Sequence, residues 1–153
     1  MEDIIRIASE KYFLDIDGIH GIGHWKRVKE NGLRLASLNA ADHSVIEHFA
    51  YLHDSCRVSE GIDNEHGKRA AEFIRTIRSS VKLTDKQFEL LYEACFDHTD
   101  GKVKADITVM TCWDADRLDL YRIGTRPRVY LLCTLEAKKP EVIEWASQRA
   151  WPN

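Results

Sequence analysis

No CxxC pair occurs among the four cysteines, Cys56, Cys95, Cys112 and Cys133, which argues against a four-cysteine zinc site and leaves reduced structural thiols as the expectation. No apolar run approaches the ~18 residues of a membrane span, and MEDIIRIASEKYF lacks the basic start and unbroken apolar stretch of a signal peptide. A soluble, cytoplasmic chain is therefore expected, with no membrane partner. There is no surplus of basic residues either: 22 Lys+Arg against 25 Asp+Glu give a net charge of −3, so neither nucleic acid nor anionic lipid is indicated as a partner. Only three prolines, no low-complexity segment and no repeat leave no visible domain boundary in 153 residues, a length within the ~100–200 of one domain. Such a domain can bury roughly 70% of its unfolded surface.

What is present is helical periodicity. Ile4, Ile5, Ala8, Tyr12 and Phe13 predict a helix over about 2–14, broken by Asp17-Gly18. A second helix is expected from His20 to Leu38, and a third from Ser44, where Ser44 and Glu47 form a candidate capping box ahead of Val45, Ile46, Phe49 and Leu52. A fourth fits Lys68 to about Ser79. Thr84 with Gln87 repeats the capping-box signal before FELLYEACFDH, and Asp106 is a candidate start for ITVMTCWDADRLDLY. Pro140 suits the first turn of a closing helix over about 140–151. The fold expected is all-α, a single bundle of six to eight helices. The β-branched run at 107–109 is the one place where a strand could hide.

Ionisable residues sit on the apolar faces of these helices. Ile46, Phe49 and His53 share one face, and Asp54 follows at once. Positions 107, 110, 114, 118 and 121 read Ile, Met, Asp, Leu, Tyr, which places Asp114 in an apolar stripe. His20, His24 and Val28 stack at intervals of four. Asp116 and Asp119, two and five residues beyond Asp114, fall on other faces, where pairing with Arg117 or the backbone is expected. Taken singly, each inward residue has a plain structural explanation: a hydrogen-bonded core histidine, a helix-end aspartate, or an Asp114 paired with Arg117 or Arg122. Together they offer two imidazoles and two carboxylates from three helices, a donor mix that suits Mn, Co, Ni, Zn or Fe and suits Mg less well.

HGIGHWKRV (20–28), FAYLHDS (49–55) and CWDADRLDL (112–120), in this order, resemble the HD-domain superfamily of metal-dependent phosphohydrolases, in particular a branch of small bacterial proteins. The resemblance spans residues 20 to 120, about two thirds of the chain. It implies one metal ion held by His24, His53, Asp54 and Asp114, with Asp54 both coordinating and orienting water. Dinuclear relatives add histidines between the doublet and the last aspartate. His66 and His98 fall in that interval, at a spacing that differs from the dinuclear pattern. His20, one turn before His24, is a candidate for contact with ligand or substrate.

The implied activity is hydrolysis of a phosphate ester or anhydride in a nucleotide or other small phosphorylated metabolite. Candidate phosphate-binding cations are Lys68, at the expected start of a helix, with Arg69, Arg27, Arg57 and Arg117. Two other classes compete. A diiron oxygenase of the same fold would need both His66 and His98 as ligands to a redox-active metal, and a non-catalytic metal- or nucleotide-binding regulatory domain would keep the ligands without turnover.

Overall fold

The computed structural model describes residues 1–150, and among them the chain forms seven α-helices and no strand. They are α1 (Glu2–Lys11), α2 (Ile22–Ala36), α3 (His43–Leu52), α4 (His66–Thr76), α5 (Asp85–Asp97), α6 (Ile107–Arg117) and α7 (Pro140–Ala150). Residues 107–109 open α6, so the possible strand is helix. Two starts follow the expected chemistry: the Thr84–Gln87 capping box is complete, and the Asp106 side chain accepts from Thr108 N. The start of α3 does not. Its cap is Asp42, whose carboxylate accepts from Val45 N, so the helix opens one residue before Ser44 and satisfies its first free N–H groups with a stronger acceptor than a hydroxyl. Position 151, the expected last residue of the closing helix, lies outside the described residues.

Helices α2, α3, α5 and α6 pack around one apolar core in which Trp25, Phe49, Ile46 and Trp113 are essentially inaccessible. Each such side chain contributes roughly 1.5–3 kcal/mol relative to exposure. Gly32 allows α2 to lie against α3, since a Cβ there would stand 2.4 Å from Ile46 Cγ2. Polar ties fix α6 in the middle: Asn31 Nδ2 donates to Ala115 O (3.0 Å) and Trp113 Nε1 to Ala94 O (3.0 Å). A second, smaller cluster of Leu35, Leu118, Leu132, Val142, Ile143 and Ala146 docks α7 on the far end of α2. No described helix is long and apolar enough to cross a membrane.

Candidate metal centre

The ends of helices, rather than their middles, deliver the polar residues. His53 and His98 follow the last residues of α3 and α5, where carbonyls lack intrahelical partners. His53 Nδ1 donates to Phe49 O (3.0 Å) and Ala50 O (3.1 Å), and His98 Nδ1 to Cys95 O (2.7 Å). His66 begins α4 and turns its Nδ1 to Asp63 O. His24, in the first turn of α2, gives its Nδ1 to Asp119 Oδ2 at 2.6 Å, and Arg27 Nε holds the other oxygen of that carboxylate at 2.7 Å. A Cβ at Gly67 would lie 2.6 Å from Cys95 O and 3.0 Å from the His98 ring, so only glycine lets α4 come close enough to α5 to bring their histidines together.

With every Nδ1 committed outward as a donor, four Nε2 lone pairs point inward. His24 Nε2 and His53 Nε2 are 3.2 Å apart, and His66 Nε2 and His98 Nε2 are 2.9 Å apart. Between them stands Asp54. Its Oδ2 is 3.4 Å from His24 Nε2 and 3.6 Å from His53 Nε2, while its Oδ1 is 2.9 Å from His66 Nε2 and 3.6 Å from His98 Nε2. Asp116 Oδ1 closes the first set at 3.2 Å from His24 Nε2 and 3.6 Å from His53 Nε2. The centre is thus a concentration of acceptors, all but Asp116 buried, with Arg57 Nη1 at its edge 3.2 Å from His66 Nε2, and protons or cations are needed to satisfy the rest.

Size agrees with a cation. His24 Nε2, His53 Nε2, Asp54 Oδ2 and Asp116 Oδ1 lie 3.2–3.6 Å apart in the five pairings above. Ligands of an ion with bonds of ~2.1 Å stand about 3.4 Å apart, and two triads come together on that scale, His24/His53/Asp116 and His53/Asp54/His98, with Asp54 and Asp116 in different triads. The carboxylate of Asp119 behind His24 is the outer partner expected of a metal-bound imidazole, fixing its tautomer and raising its basicity. These buried His/Asp groups can hold a metal ion.

In the metal-free protein, protons take the place of cations. Burial and Arg122 work against a charged His24, yet hydrogen bonds to Asp116, Asp119 and Asp54 push it up to about 9. Burial likewise opposes ionised Asp54, but the neighbouring His53 and hydrogen bonds from His20, His24 and His66 hold it well below the usual carboxylate range. Asp116 is held low in the same way by His24 and His53. His53 itself is lowered by its complete burial.

The expected residues His24, His53 and Asp54 are brought together; Asp114 is not. Its carboxylate faces the segment after α6, accepting from Cys133 N (2.7 Å), Thr134 N (2.8 Å) and Thr134 Oγ1 (2.7 Å). Asp116 and Asp119, expected to pair with Arg117 or the backbone, turn to the centre instead: Asp116 takes the place expected of Asp114, beside His24 and His53, and Asp119 holds His24 and Arg27, because the chain winds on from α6 into the turn that follows it. His66 and His98 join the centre despite their spacing, and His20 Nδ1 lies 3.5 Å from Asp54 Oδ2. Among the candidate cations, Arg57 lines a cleft of about 270 Å³ over the centre, together with Arg122, Ile62 and Asn64. Lys68 and Arg69 do not reach it. They line a separate groove of about 800 Å³, where Lys68 lies 3.7 Å from Glu65 and Arg69 is spent on Asp63. Arg27 is committed to Asp119, and Arg117 donates to Leu131 O. Arg122 had no signal of its own in the sequence, because a one-turn 3₁₀ helix at Leu120–Ile123 carries it back to the site.

No protein-family model, no curated protein and no solved structure matches this chain.

Proposed function

We propose that the chain is a hydrolase of the HD-domain kind that uses divalent transition metal to cleave a phosphate ester or anhydride of a small metabolite. One observation carries this reading: four imidazoles, each locked by its Nδ1, turn their Nε2 atoms onto Asp54 and Asp116. His24, His53, Asp116 and Asp54 Oδ2 would hold one ion. His66, His98 and Asp54 Oδ1 would hold a second, with Asp54 shared between them. Of the metals such donors accept, Mn, Fe, Co, Ni and Zn fit the imidazole-rich set better than Mg.

Bound there, the metal supplies a Lewis acid and lowers the pKa of water from roughly 15.7 toward ~7. The chain's own residues do the rest. Asp54, buried between the two imidazole pairs, orients a water between the two sites; Asp119 and Arg27 keep His24 in one tautomer and orientation; the cleft admits an anion past Arg57 and Arg122. The test is elemental analysis of purified protein, then a panel of phosphomonoesters, nucleotides and cyclic nucleotides assayed with Mn, Co, Ni, Zn and Mg added to metal-stripped protein. At least one equivalent of metal and metal-restored hydrolysis are expected. Protein that neither carries nor binds a transition metal defeats the reading.

One observation favours a second reading: His66 and His98 both enter the centre, which is what a diiron oxygenase requires. Bound iron together with a product that forms only in the presence of oxygen would establish it in place of hydrolysis.

A further inference from the structure

The two arginines over the centre are held unlike Arg27 and Arg69, which are closely paired with Asp119 and Asp63. Arg57 donates from Nε to Ser59 O (3.2 Å) and from Nη2 to Gly61 O (2.7 Å), and its Nη1 lies 3.2 Å from both ring nitrogens of His66. Arg122 donates from Nε to Ile19 O (2.8 Å), from Nη1 to Asp119 O (3.0 Å) and from Nη2 to His20 Nδ1 (3.2 Å). Both side chains are more than nine-tenths buried, and the nearest carboxylate oxygens stand off at 3.9 Å from Arg57 and 3.8 Å from Arg122. The second of these belongs to Asp119, already shared by Arg27 and His24. A guanidinium has five N–H donors. Three are engaged on Arg122 and two on Arg57, whose Nη1 faces a His66 ring already committed to Asp63 O and to the centre; all these acceptors are neutral, so the full charge and at least two donors remain on each.

A buried cation without a matched carboxylate is costly, and two of them at the mouth of one cleft make a site for an anion that comes from outside. They also stand on different sides of Asp54: Arg57 beside His66, Arg122 beside His20 and the Asp119 behind His24. Resting on the metal-centre reading above, we propose that Arg57 and Arg122 clamp a terminal phosphoryl group, so that the substrate class is a phosphate monoester or the end phosphate of a nucleotide or anhydride, and not a diester. Two guanidiniums and a metal centre ask for three unesterified oxygens. A terminal phosphoryl group has them, whereas a diester has two and carries one negative charge fewer. Planar N–H pairs match phosphate oxygens in a way that an ammonium does not.

Calorimetric titration decides this without turnover. Inorganic phosphate, methylphosphonate and dimethyl phosphate are titrated into Mn-loaded and metal-stripped protein, wild type and variants. The first two should bind Mn-loaded wild type at least tenfold more tightly than dimethyl phosphate. Arg122→Gln and Arg57→Gln should each weaken phosphate tenfold or more while Mn affinity stays within about twofold. Because Arg57 also pins the loop after Asp54, Arg57→Lys and Arg122→Lys are read beside them, and each should recover part of the lost affinity. Dimethyl phosphate binding as tightly as phosphate, or glutamine variants that bind phosphate as wild type does, overturns the clamp. If Mn does not bind wild type, yet phosphate binding to the metal-free protein depends on both arginines, the clamp stands and the metal reading falls. If Mn binds and phosphate ignores both arginines, the clamp alone falls.

Discussion

Asp114 and Asp116 are two residues apart on one helix and live in opposite surroundings. Asp114 faces three neutral donors, Cys133 N, Thr134 N and Thr134 Oγ1, and burial pushes its carboxyl up despite them. Asp116 faces His24 and His53 and is held well below the ordinary range although it too has lost solvent. The first carboxylate is a fastener: it stops the segment at 133–134 against α6 and so supports the docking of α7. The second is a charge placed where cations gather. Identical side chains thus carry structure and chemistry according to what is opposite them, and single substitutions can separate the two roles.

The largest effect is expected at Asp116. Asp116→Asn keeps the volume and removes the charge, so Mn affinity should fall by more than the ~10–100-fold typical of losing an outer partner of a metal ligand. Metal-dependent turnover should fall with it. Equilibrium dialysis against Mn beside an activity assay measures both, and an Asp116→Asn protein that binds Mn as wild type does would remove Asp116 from the centre. Next comes Asp119→Asn, which leaves His24 in place but weakens the 2.6 Å contact that fixes its tautomer. A loss of ~10–100-fold in metal affinity is expected, smaller than at Asp116. An equal or larger loss would mean that Asp119 itself binds the ion.

Asp114→Asn should spare metal and lower stability. The Asn amide offers one acceptor oxygen and turns an NH₂ group toward donors, leaving at least one buried N–H or O–H unsatisfied at a cost of about 1–3 kcal/mol. For a chain of this size that lowers Tm by several degrees. Thermal melts in EDTA and Mn binding on the same samples give the answer: unchanged Tm with lost Mn binding would reverse the assignments of the two aspartates.

Sequence could not separate them for a physical reason. Helix α6 sits at the centre of the bundle and buries Thr108, Val109, Cys112, Trp113, Asp114, Ala115 and Arg117, residues that encircle it. A helix apolar on most sides has no stripe to indicate which direction the site lies in. Elsewhere the pattern was legible: His53 below Ile46 and Phe49 at the end of α3 points inward as its spacing requires, and the side-chain signals at Thr84 and Asp106 mark real helix starts. His66 and His98 were visible as residues but not as neighbours. Their meeting depends on α4 crossing α5 at Gly67, a tertiary contact with no local pattern. Arg122 depends likewise on a turn that reverses the chain after α6.

The smallest effect, and the one that separates the two aspartates without metal, is the pH dependence of stability in EDTA. The folded value of Asp116 lies below its unfolded value of ~3.9, so its contribution is present above that pH and lost as pH falls. Asp114 is shifted the other way. Its contribution is present below ~3.9 and is lost as pH rises through the raised folded value. Urea midpoints of wild type, Asp114→Asn and Asp116→Asn between pH 3.5 and 7, in steps of about half a unit, should therefore give difference curves of opposite slope, since stability follows the proton uptake that differs between the folded and unfolded chain. The deficit of Asp116→Asn should grow toward neutral pH, where the wild-type carboxylate faces a protonated His24 pushed up to about 9. The deficit of Asp114→Asn should be greatest at the acid end and shrink toward neutral, never vanishing, because the unsatisfied donor remains at every pH. Parallel curves would mean that both carboxylates meet the same kind of surroundings, and the division between fastener and ligand would not hold.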